Sequence, residues 1–118
     1  MRVPAEHKVD AGEKGPDGFY DYHYAYTDFT IECGGLTAGF RLYDNESQVF
    51  ASWIADRGVR KTVKWGESFG SDAIAFPAGS AEMAEILNYL RDTHGVQQVS
   101  AYDGPIGSFR AVPLESLV

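Results

Sequence analysis

Cysteine is nearly absent: Cys33 is the only one in 118 residues, so no disulfide can form within the chain and a cysteine-rich zinc site is excluded. Long apolar runs are missing too. No stretch approaches the roughly 20 residues that span a bilayer, and MRVPAEHKVDAGEKGPDG lacks the apolar centre of a secretory signal. A cytoplasmic protein without a membrane partner is the expectation. Basic residues are scarce, with 10 Lys and Arg against 17 Asp and Glu, for a formal charge of −7. That balance repels phosphates, so direct nucleic-acid binding is not expected. Neither a Walker A sequence nor G-x-G-x-x-G occurs, and no cofactor is expected.

What is present is enough apolar material to fold. A hydrophobic fraction of 44% and an aromatic fraction of 14% are too high for a disordered chain. The length suits one core. Residues 1 to 18 carry charges, prolines and glycines without a hydrophobic period, and read as a flexible arm before a single domain at 19–118.

From Phe19 the chain alternates as FYDYHYAY, the pattern of a first strand, and Phe29, Ile31 and Cys33 predict a second that ends at Gly34-Gly35. Leu36, Ala38, Phe40 and Leu42 share one face of a third strand, QVFASWIA reads as a fourth, and VRKTVKW as a fifth. A short apolar run at 73–76, a strand at 96–102 and a last candidate strand at 108–112 follow. Between the first two of these the period changes: Met83, Ile86, Leu87 and Leu90 form an α-helical stripe. Ser80 suits the N-cap and Gly95 the C′ position, which predicts a helix over 81–94. The class is α+β: an antiparallel sheet of five to seven strands with one helix packed on one face.

Few residues point to chemistry. Gly66-Glu67-Ser68-Phe69-Gly70 fits G-x-S-x-G, with Asp72 or Asp92 and His94 following in hydrolase order, but a strand-to-helix elbow is not expected there. His7, His23 and His94 lack metal-ligand spacing, so no metal is expected. Asp21 and His23 would share a strand face. Asn45-Glu46-Ser47 reads as a turn. Arg57, Arg60, Lys61 and Lys64 form the one basic cluster, read as a solubilised edge strand, with a nucleic-acid patch as the lesser alternative.

Tyr20, Tyr22, Tyr24 and Tyr26 fall on one strand face. Either they build the core beneath the helix or they form a stripe that meets a partner, since alternation fixes the face but not its direction. The expected function is that of a small acidic, non-enzymatic inhibitor that sterically blocks a larger protein. Its partner-binding residues would be Tyr20, Asp21, Tyr22, Tyr24, Tyr26, Asp28, Glu32, Asp44 and Glu46, the carboxylates standing in for phosphates on a basic surface. In size and charge the chain resembles phage-encoded inhibitors of defence nucleases, anti-CRISPR proteins among them, and immunity proteins that neutralise nuclease toxins. That resemblance implies a nuclease or CRISPR effector as partner. A small serine-type hydrolase and a homo-oligomeric structural protein, a homodimer among the forms it could take, are the alternatives.

Overall fold

In the computed structural model, residues 1–19, 23–66 and 72–118 are described, His23 by its backbone alone. The elements run β1 (Ala5–Ala11), β2 (His23–Cys33), β3 (Leu36–Tyr43), β4 (Gln48–Asp56), β5 (Val59–Lys64), β6 (Ala73–Ala75), α1 (Ala81–His94), β7 (Gln98–Asp103) and β8 (Ser108–Pro113). A 3-10 turn, Leu114–Ser116, follows β8. The strands join in one sheet ordered β1-β2-β3-β4-β5-β7-β8, with β6 beside β5.

The sheet is larger than the expected five to seven strands, and it is mostly rather than wholly antiparallel. Residues 1–18, read as an arm, contain β1, which pairs with β2 from Ala5↔Phe29 to Ala11↔His23. Six of its seven residues are exposed, so no hydrophobic period marks it; its pairing with β2 and polar side-chain bonds of His7, Lys8 and Asp10 place this edge strand. His23 to Tyr26 of the expected first strand, whose residues 20–22 lie outside the described residues, and the expected second strand belong to the single strand β2, because nothing between Tyr26 and Phe29 breaks the ladder with β3. Parallel pairing enters where the chain returns after longer connections: β5 with β6, β4 with β7, and Lys64 with Tyr102. β5 consequently lies between β4 and β6, not at an edge, which corrects the edge-strand reading of its basic residues.

The odd-numbered residues of β2 set the core. Phe29, Ile31 and Cys33 are buried in one cluster with Ala38 and Phe40 of β3, Val49, Ala51 and Ile54 of β4, and Met83, Ile86, Leu87 and Leu90 of α1. Ala51 and Ile54 lie three apart, yet both join it. A register shift between Gly39 and Phe40 places Gly39 opposite Trp53 and Phe40 opposite Ala51, so Ser52 is the extra residue of a bulge. This bulge explains why QVFASWIA is apolar on both faces.

The helix follows its sequence signals. Ser80 is extended and its side chain accepts from the Met83 amide, while Gly95 is left-handed with φ 69° and its N–H returns to the Leu90 and Arg91 carbonyls. Glu82 stands in the first turn, and Arg91 and His94 in the last, each at the end of the dipole that favours its charge.

Candidate functional site: the helix-free face of the sheet

Because side chains alternate along a strand, burial of Phe29, Ile31 and Cys33 on the helix side turns Tyr24, Tyr26, Asp28, Thr30 and Glu32 to the other face. Of the two directions open to the tyrosine stripe, this is the one away from the helix. Tyr24 is 54% exposed, whereas Tyr26 is only 5% exposed. The difference arises from neighbours on the same face: Arg41 of β3 stacks over the Tyr26 ring, its guanidinium carbon 3.9 Å from the ring centre, and the Tyr26 hydroxyl donates to Asp10 of β1 at 2.6 Å. That bond to a carboxylate, aided by desolvation, raises the phenol pKa above its ordinary value.

The register extends this face across the sheet as a ladder of rings. Tyr43 of β3 meets Tyr24 at 6.1 Å and Tyr26 at 5.5 Å between ring centres, then Phe50 of β4 at 5.8 Å. Phe50 meets Phe109 of β8 at 5.7 Å, and Phe109 meets Tyr102 of β7 at 6.0 Å. Every contact is edge to face, the geometry that the ring quadrupole favours. Six aromatic side chains from five strands therefore line a face that the helix leaves open. At its end Phe109 is 59% exposed, and Ile106 in the adjoining turn is 58% exposed.

Cations edge the ladder and are largely compensated. Arg41 Nε lies 2.8 Å from Asp28 Oδ1, and Lys8 Nζ lies 3.2 Å from Asp28 Oδ2. The Arg41 bond is the main reason that the Asp28 carboxyl is held below the usual carboxylate range, with Lys8 reinforcing it. Arg60 stacks on Trp53 at 3.9 Å, Lys64 lies 5.4 Å from the Tyr102 ring centre, and Arg110 pairs with Asp103 at 2.7 Å. Lys61, on the other face of β5, binds Asp56 at 2.8 Å and lowers its pKa. Arg60 and Lys64 thus stand over rings, Lys61 is held in an ion pair, and Arg57 occupies the β4–β5 turn with φ 52°.

The acidic residues expected to meet a partner are not gathered into one array. Asp28 is spent on Arg41 and Lys8; Glu32 lies 3.7 Å from Arg2; Asp44 lies 3.0 Å from His7. Asp44 and the exposed Glu46 belong to the β3–β4 turn beside the ladder. Tyr20, Asp21 and Tyr22 lie outside the described residues, as does Ser68 of the hydrolase-like motif. Of that motif's partners, His94 packs at the end of α1 against Phe29, 4.8 Å between ring centres, and within 3.3 Å of the Tyr89 hydroxyl. Asp72 precedes β6 and its carbonyl accepts from the Thr62 amide.

Among the described residues, no group of three or more His, Cys, Asp and Glu is placed to hold a metal ion, and no helix is long and apolar enough to cross a membrane. Sequence reasoning missed Tyr43, Phe50, Tyr102 and Phe109. Their aromaticity was the available signal, but only strand pairing aligns them with Tyr24.

Two cavities meet along the ladder. One, of about 340 Å3, lies where β4 changes neighbours, pairing with β7 as far as Phe50 and with β5 from Trp53; Phe50, Thr62, Val63 and Phe109 line it. The other, of about 500 Å3, is bounded by Tyr24, Tyr43, Asp44, Glu46 and Phe50. No family model matches the chain, and neither a curated protein nor a solved structure matches it.

Proposed function

We propose that this protein is a small, non-enzymatic binding module that blocks a larger protein by covering it with the helix-free face of its sheet. The aromatic ladder from Tyr24 to Phe109 carries the reading: rings joined across five strands, exposed at Tyr24 and Phe109 and half-buried between them, form an apolar surface of the kind that marks protein contact sites. Tyrosine and phenylalanine bring large contact areas with few rotors to freeze, which limits the entropic cost of association. The compensated cations and the net charge of −7 favour a protein over a nucleic acid as the occupant. A nuclease or other defence effector with a basic working surface is the partner class this charge suits, with neutralisation of a toxin as a second possibility of the same kind.

Affinity capture from the native cell's lysate tests the reading when run on matched variants. Tyr24→Ser with Phe109→Ser should abolish recovery of the specific partner, while Glu82→Lys, on the exposed side of the helix, should leave it intact. Retention by the double variant, with loss in Glu82→Lys, would place binding on the helix side instead. A second copy of the chain as the sole captured species would make this a homodimer surface.

A further inference from the structure

Within that reading, we propose that the paired cavities on the ladder recognise an extended segment of the partner in which a large apolar side chain and a Lys or Arg are separated by one residue. The cavities share Tyr43 and Phe50, whose ring centres lie 5.8 Å apart, so a single aromatic wall separates them. On one side, the Phe50 and Phe109 rings give an apolar recess above β5 at Thr62 and Val63, at the fork between β5 and β7. On the other, Asp44 and Glu46 bring two carboxylates to the rim, beside the Tyr24 and Tyr43 rings.

An extended peptide places residues two apart on the same side, separated by roughly 7 Å. That step is slightly longer than the 5.8 Å between the Tyr43 and Phe50 ring centres. The apolar side chain would fill the recess; the cation would reach Asp44 and Glu46 with its stem along Tyr43. Such a cation gains both charge-assisted hydrogen bonds and the ring face. Asp44 and Glu46 supply the charge of the acidic cavity, and the imidazole of His7 reaches Asp44 from β1 at 3.0 Å. No carboxylate is among the described residues that line the recess, and Arg41 borders it, so the cation belongs on the side of Asp44 and Glu46.

The test uses the full chain labelled with 15N and the peptide acetyl-Gly-Phe-Gly-Arg-Gly-amide, compared with versions carrying Glu for Arg or Ala for Phe. The expected result is saturable shifts at the amides of Tyr43, Asp44, Phe50 and Phe109, with binding about tenfold weaker for either altered peptide. Asp44→Asn with Glu46→Gln should erase the preference for Arg while leaving the spectrum dispersed and the preference for Phe unchanged. Equal binding of the Arg and Glu peptides, shifts confined to the helix, or no saturable shift would overturn the proposal. If the peptides fail while Tyr24→Ser with Phe109→Ser still loses the captured partner, the face binds by other chemistry and only this specificity falls. If capture survives that double variant, the binding face itself has been misplaced.

Discussion

Gly39 lies directly beneath the indole of Trp53: a Cβ at position 39 would overlap Trp53 Nε1. The two residues pair across β3 and β4 at the bulge, and Arg60 stacks on the same indole. The absence of a side chain at 39 therefore lets Trp53 lie flat along the open face. Gly39→Ala should force the indole and Arg60 outward and cost about 1–3 kcal/mol through overpacking. Gly35→Ala is the control, since a Cβ there meets nothing within 4 Å and its backbone is not in the left-handed region. Urea denaturation should show a clear loss for the first and little change, or a slight gain, for the second.

The helix owes its position to its apolar stripe and its ends to its caps. Leu90 is fully buried, and Leu90→Ala should destabilise the fold by about 2–5 kcal/mol by leaving a cavity in the cluster. Ser80→Ala removes the bond to the Met83 amide and should cost about 1 kcal/mol. Circular dichroism melts of the two variants check both the order and the approximate ratio of these losses.

Asp28 and Asp56 give acid sensitivity a definite sign. Each has a folded-state pKa lowered below the ordinary aspartate value, Asp28 chiefly by its bond to Arg41 and Asp56 chiefly by its bond to Lys61. Their stabilisation is fully present above the unfolded value, about 3.9, and is lost as pH falls through the lower folded value. Urea midpoints should therefore decline as pH is taken from 6 towards 2, and Asp28→Asn should flatten the decline while lowering the midpoint at pH 6. An unchanged slope in that variant would show that Asp28 is not a source of the effect.

Cys33 should be slow to react. Its thiol is buried and donates to Glu85 Oε2 at 3.1 Å; that bond, followed by desolvation, raises its pKa above the ordinary value. Only the thiolate is a strong nucleophile. A disulfide reagent at pH 8 should label the native chain far more slowly than the urea-unfolded chain, and Glu85→Gln should label faster than wild type at equal stability. Rapid native labelling would contradict this placement.

The helix was legible because its signals are local: the stripe from Met83 to Leu90, the Ser80 cap and the Gly95 stop sit within one short segment. The β3 pattern was legible for the same reason, with Ala38 and Phe40 buried and Leu36 and Leu42 packed against them. β1 was not, because an exposed edge strand has no buried face to impose a period on its sequence. The parallel contacts of β6 and β7 join segments distant in sequence, and nothing local announces them.

At the site, alternation put Tyr24 and Tyr26 on one face, but its direction followed only once Phe29 and Ile31 met the helix. It also gave no warning that Arg41 and Asp10 would cover Tyr26. Asp28 looked like a free carboxylate in the sequence; pairing with β1 and β3 brought Lys8 and Arg41 to it. The ladder itself needs five strands in register before any of its contacts exist.

Site-directed photo-crosslinking in the native cell measures the occupied face most directly. A crosslinking amino acid at position 24 or 109 should yield an adduct with a foreign protein, and one at position 82 or 92 on the helix should not. Adducts from the helix positions alone, or adducts from 24 and 109 that contain only a second copy of this chain, would contradict the account.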